Sequence, residues 1–152
     1  LVGCMHGMLL KPGGFSGSIN ARGEGGSALV NILTLIGREY LTASHLLRLT
    51  LESQTSFDAG VSLVTKTALV QPVYFVLAGT GKQQGAIVAR DRKPPAKDVW
   101  LMNQTAATAP WFLLQTNYDH WQAPPAWDDR RTPGIAHMHA LGQAGVGEKG
   151  LL

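Results

Sequence analysis

An α+β fold is predicted by three features of the sequence: helical periodicity from Ala28 to about Lys66, short branched and aromatic runs after Val73, and a capped helix start near Thr132. Helices, then strands, then another helix fit one half of a layered sandwich. Phe15 to Ile19 reads as the tail of a strand following a turn at Gly13 and Gly14, and Gly23 to Ser27 as a flexible loop. Ala28 to Tyr40 places Leu29, Ile32, Leu33 and Ile36 on one helical face. A second helix starts at Ser44 with Leu46, Leu47 and Leu51 inward. Thr55 with Asp58 three residues on forms an acidic variant of a capping box for a third helix that runs to about Lys66. Val73 to Ala78 and Ala86 to Ala89, separated by the GTGKQQG turn, predict an antiparallel hairpin. Asp98 to Met102 and Trp111 to Thr116 are expected to continue the sheet, the last strand delivering Asn117 at its end. Thr132 is the expected cap of a final helix, with Pro133 in its first turn.

Composition sets the outer bounds. Of 152 residues, 45% are hydrophobic and 15% charged, which argues against disorder and for a packed domain. No run of about 18 apolar residues occurs, so no segment is long enough to cross a bilayer as a helix. The net charge of +3 and the isoelectric point near 9.3 invite a nucleic-acid partner. Their distribution excludes it: apart from Arg90, Arg92 and Lys93 the basic residues are dispersed, and Arg130 and Arg131 are answered at once by Asp128 and Asp129. One cysteine, Cys4, rules out a disulfide framework within these residues and reads as a small buried apolar side chain. Asn103, Gln104 and Thr105 form an acceptor triplet for N-glycosylation, in a stretch read as a loop before Pro110.

Several motifs fail on their spacing. GTGKQQG lacks both the leading glycine and the hydroxyl after lysine that a phosphate-binding loop needs. GGFSGS departs from the glycine, serine, glycine order of a nucleophile elbow. His137 and His139, two apart on a helix, do not share a face, and no metal is expected. Trp111, Trp121 and Trp127 are read either as walls of an acyl-chain groove or as core.

Two strings carry the chemistry: QTNYDHW at residues 115–121 and DDRRTP at 128–133. A neutral amide such as Asn117 can donate to an oxygen that becomes negative in a reaction without itself titrating. Arg130 adds a permanent charge and a planar fork of donors suited to a carboxylate or carbonyl. These strings resemble the signature of the N-terminal-nucleophile amidases that include N-acylethanolamine-hydrolysing acid amidase and acid ceramidase. Residues 46–80 and 85–102 resemble the same family's helical stretch and strand pair, and His120 is nearer the amidase branch than the ceramidase branch.

The resemblance implies an αββα sandwich, of which residues 1–152 would be a single partial domain, a fragment of the mature large subunit. The nucleophile strand and the C-terminal strands would lie outside it, leaving a sheet edge open and the isolated piece poorly soluble. It implies a precursor that cuts itself before a cysteine, whose thiolate then attacks the amide while the new amino terminus serves as base. Asn117 and Arg130 would be catalytic, and Tyr118 and Trp121 would line the substrate site. Tyr118 and Asp119 would buttress the turn. Substrate would be an N-acylethanolamine, or in the alternative a ceramide, and no metal or organic cofactor is called for. A small (alpha) subunit from the same precursor and a membrane or lipid surface are the implied partners, and the lysosome, reached by the secretory pathway, the implied location. Ala21, in INARG, stands where the family carries a pocket glutamate, and Glu24 could replace that group only after a local shift. This opens a second reading, a catalytically inactive protein that binds lipid or a partner subunit.

Overall fold

The computed structural model describes residues 9–23, 27–36, 40–102 and 111–147. Two compact units form along the chain, Leu1–Leu113 and Leu114–Leu152. Cys4, Glu24 and Asn103 lie outside the described residues.

The first unit is an antiparallel sheet of five strands in the order β1 (Leu9–Leu10), β2 (Phe15–Ala21), β3 (Val73–Gly79), β4 (Gly85–Arg90) and β5 (Asp98–Leu101). Sequence order equals spatial order, because each strand joins the next antiparallel neighbour. The β1–β2 turn uses Gly13 at φ +70°, a left-handed conformation that glycine adopts without strain. Between β2 and β3 the chain makes α1 (Ala28–Ile36), α2 (Ala43–Ser53) and α3 (Phe57–Lys66).

Alternation along the strands sorts the sheet's faces. Ile19, Phe75, Val88 and Val99 form one cross-strand row. With Phe15, Val73, Leu77 and Ala86 they meet Leu46, Leu47 and Leu51 of α2 and Phe57 and Val64 of α3, which makes the main core. On the opposite face Tyr74, Ile87 and Ala89 are buried with Val76, Trp100 and Leu113. Every residue of β4 is buried, as expected of a strand covered on both sides. Helices gathered on one face of an antiparallel sheet make this an α+β fold. Close approach fixes two glycines. A Cβ on Gly17 would lie 2.6 Å from Leu47 Cδ1, and one on Gly60 2.7 Å from Phe15 Cζ.

Caps explain the helix starts. Thr42 accepts from the His45 amide at the head of α2, and Ser56 from the Ala59 amide at the head of α3. The α3 cap is therefore Ser56, one residue beyond the expected Thr55. Lys11 Nζ donates to the Gln54 carbonyl at 2.6 Å, closing the far end of α2. Among the described residues α1 ends at Ile36, short of the expected Tyr40, and residues 37–39 lie outside the description.

Helix α1 is turned the opposite way from an ordinary surface helix. Leu29, Ile32, Leu33 and Ile36 do share a face, as predicted, but that face is exposed. The polar stripe faces inward: Thr34 Oγ1 donates to the Val70 carbonyl at 3.3 Å, and Arg92 donates to Asn31 Oδ1 and to the Ser27 carbonyl.

Three consecutive residues at the end of β4 tie the unit together. Arg90 is fully buried and donates to the carbonyls of Val64 and Thr67 at the end of α3. Burial pushes its guanidinium down to about 10, and neighbouring Asp91 pulls it up. Asp91 accepts from Arg22 Nη1 at 2.5 Å, and the Arg22 guanidinium, buried itself, sits 5.8 Å from the Tyr74 ring centre. Arg92 reaches α1 as above.

The expected strand over Trp111 to Thr116 does not form. That segment finds no ladder partner, and Gln115 Nε2 donates instead to the carbonyls of Thr116 and Tyr118, which folds the chain locally. In the second unit, α4 (Arg131–Leu141) carries Pro133 in its first turn, as expected. Its cap is not Thr132: the N-cap position is Arg130, which makes no side-chain cap bond, and the Thr132 amide donates to Asp129 Oδ1 at 2.9 Å, so the aspartate one residue ahead serves the helix start. The helix closes at Gly142, φ +67°, and is followed by a short 3-10 turn at Gln143–Gly145.

Candidate functional site

The residues named from QTNYDHW and DDRRTP all fall in the second unit, where the turn over 115–122 faces the head of α4. Asn117 sits in a bend and not at a strand end, the expected strand being absent. Its Oδ1 accepts from Arg130 Nη2 at 2.8 Å. Thirteen residues apart in sequence, the two side chains do converge. An arginine can only donate, so the carbonyl end of the amide must face it, and the NH2 end of Asn117 is turned elsewhere.

Arg130 is itself held. Its Nε and Nη2 donate to the two oxygens of Asp128 at 2.8 and 2.7 Å, a two-pronged pairing that fixes the guanidinium plane. Bonding to Asp128 raises the Arg130 pKa above the ordinary arginine value, so it stays charged. The Arg130 side chain is 55% exposed, which leaves it open to solvent or to a ligand. Asp129, whose carboxyl is held below the usual range by the bonds it accepts from Thr132, anchors the start of α4 just beyond.

The turn has its own scaffold. Tyr118 is buried, and its hydroxyl accepts from the Arg131 amide at 3.1 Å. The Arg131 guanidinium lies 4.9 Å from the Tyr118 ring centre and donates to the carbonyls of Asp119, at 3.2 Å, and Gln122. Asp119 is fully buried in this turn. Sequence reasoning named Asn117, Arg130, Tyr118 and Trp121, and Asp128 as a charge partner of the arginines, but missed the roles of Arg131 and Gln115. The doubled pattern DDRR was the available signal, since two acid–base pairs side by side serve different partners here.

The tryptophans divide. Trp121 is 43% and Trp127 87% exposed, so neither is core. Trp121 packs edge-on against His120, with ring centres 4.8 Å apart. In the first unit, Trp111 is half-buried and meets Phe112 edge-on. Ala21, where a glutamate was expected, is the exposed last residue of β2 and offers no carboxylate. A polar depression of about 300 Å³ in the first unit is lined by Phe57, Asp58, Lys82, Gln83, Gln84, Gly85 and Leu101, and none of the named site residues borders it. Among the described residues no group of three or more histidine, cysteine or acidic side chains is placed to hold a metal ion.

Comparison with known proteins places this geometry in context. No family model matches the chain. It is 40% identical over 114 residues to N-acylethanolamine-hydrolyzing acid amidase of Oryctolagus cuniculus, which covers 75% of this chain and 31% of that protein. It is 35% identical over 138 residues to acid ceramidase of Homo sapiens, covering 90% of this chain and 34% of that one. The solved structure of a Caenorhabditis elegans N-acylethanolamine-hydrolyzing acid amidase ortholog matches with a TM-score of 0.72 at 32% identity, over 91% of this chain and 57% of that one. The chain spans about a third of the length of the curated relatives it matches.

Proposed function

Because the chain belongs to the family of N-acylethanolamine-hydrolysing acid amidase and acid ceramidase, we propose that the whole protein of which it is part hydrolyses the amide bond of N-acylethanolamines, releasing a fatty acid and ethanolamine. The observation that carries the reading is the 2.8 Å bond between Asn117 and Arg130, which brings the two signature side chains together and points the carbonyl end of the amide at the guanidinium. In this scheme the terminal amine takes the proton of a cysteine thiol, the thiolate attacks the amide carbon, and Asn117 Nδ2 donates to the oxygen that becomes negative. The carbon–nitrogen bond then breaks, and ethanolamine leaves with a proton from the terminal amine. Water, deprotonated by the same amine, cleaves the thioester and regenerates the thiol. Arg130, braced by Asp128, holds the Asn117 amide in the orientation that donation requires, and neither residue needs a metal or organic cofactor. Trp121, exposed beside the turn, and Tyr118 beneath it flank the substrate. Glycosylation at Asn103 and residence in an acidic lysosome belong to the same reading. A small subunit cut from the same precursor completes the enzyme, and a lipid surface is met by the outward apolar face of α1.

Assay of the whole protein at acidic pH with an N-acylethanolamine and a ceramide side by side tests substrate class. Asn117→Ala is expected to lower kcat by about 10²–10³-fold with an unchanged melting temperature. Unchanged turnover removes the oxyanion role. Ala21 favours a second reading, a lipid- or subunit-binding protein without turnover, because the exposed end of β2 lacks the carboxylate. Absence of hydrolysis on both substrates, with a folded protein, selects it.

A further inference from the structure

We propose that Arg131, and not only its neighbour Arg130, is a positioning residue for the reaction, acting through Asn117; this rests on the hydrolase reading above. Asn117 belongs to a turn that has no strand to hold it. An oxyanion donor misplaced by about 1 Å loses much of its effect, so some part of the protein must fix the backbone on which Asn117 stands.

Arg131 is built for that work. Its guanidinium donates to the Asp119 carbonyl at 3.2 Å and to the Gln122 carbonyl, bridging both ends of the turn that follows Asn117. Its guanidinium carbon lies over the Tyr118 ring, 4.9 Å from the ring centre, and its backbone amide donates to the Tyr118 hydroxyl at 3.1 Å. Tyr118, directly after Asn117, is thereby held at ring and hydroxyl by one residue. Gln115 Nε2 holds the Tyr118 carbonyl at 2.9 Å from the other side. Adjacent arginines therefore divide the labour: Arg130 orients the Asn117 amide, and Arg131 orients the backbone beneath it. Lysine could satisfy one of the two carbonyls but not both with a fixed plane over the ring.

A double-mutant cycle in the whole protein reads the coupling. Arg131→Met is expected to lower kcat on an N-acylethanolamine by about 10²-fold, with KM changed less than about threefold, and Arg131→Lys to recover part of the loss. In an Asn117→Ala background the same Arg131→Met change should cost less than about threefold, because the donor it positions is gone. Equal losses in both backgrounds, or a lowered melting temperature with normal kcat, overturn the proposal. An activity-independent arm separates it from the hydrolase reading. By hydrogen–deuterium exchange, Arg131→Lys should speed exchange across residues 116–122 while the sheet of the first unit keeps its protection. Unaltered exchange in that turn overturns the positioning role whatever substrate the protein takes, whereas full turnover by Asn117→Ala defeats the hydrolase assignment alone.

Discussion

Asp128, Asp129, Arg130 and Arg131 are read by eye as a patch of self-cancelling charge, yet each serves a different bond. Asp128 braces Arg130, Asp129 caps α4, Arg130 holds the Asn117 amide and Arg131 the turn. The Asp129 cap has a pH signature. Its carboxyl pKa is lowered in the folded state by the bonds from Thr132, so its contribution is complete above the unfolded value of about 3.9 and is lost as pH falls through the lower folded value. The cap therefore persists at the mild acidity where acid hydrolases work. The Thr132 amide resonance should titrate only in strong acid, and Asp129→Asn, which keeps an acceptor oxygen, should abolish that titration. A titration of Thr132 surviving in Asp129→Asn would show that another group is responsible. At this scale the sequence announced Asn117 and Arg130 through the resemblance of the strings that hold them to an amidase signature. It did not announce Arg22 or Arg90, because a charged side chain is expected in water and only the fold reveals the two carbonyls or the carboxylate waiting for it.

Elements were legible where local chemistry and tertiary packing agree. The β3–β4 hairpin was marked by two branched and aromatic runs around one turn, and α2 by Leu46, Leu47 and Leu51, which are all buried. Trp111 to Thr116 misled because an apolar run shows what could be a strand but not whether a neighbouring edge will receive it. Helix α1 misled in another way: periodicity identifies a face without saying which side it will take. Its complementary stripe of Ser27, Asn31 and Thr34 was the overlooked half of the pattern. Packing is close where Gly60 of α3 meets Phe15 of β2. Gly60→Ala should cost about 1–3 kcal/mol in denaturant unfolding, since the new methyl would meet Phe15 Cζ at 2.7 Å and Cε2 at 2.8 Å. Phe15→Leu in the same molecule should return part of that loss, and a Gly60→Ala protein as stable as the parent would mean the ring has room to swing.

For the molecule as a whole, the outward face of α1 departs from an ordinary soluble surface among the described residues. Leu29 and Leu33 are 66% and 60% exposed, and no charged residue interrupts the helix. If a lipid surface covers this face, Leu33→Glu in the whole protein should sharply reduce co-sedimentation with phospholipid vesicles while changing stability by less than about 0.5 kcal/mol. Undiminished vesicle binding would move the lipid contact elsewhere. The Arg90, Asp91 and Arg92 triplet has a further consequence for how the chain finds its fold. A slip of β4 by one residue along β3 would exchange the two faces of the strand, withdrawing the guanidinium from the α3 carbonyls and pulling the carboxylate away from Arg22 in a single step. Neighbouring side chains with opposite charges and separate anchors thus favour one alignment of the sheet over its one-residue neighbours.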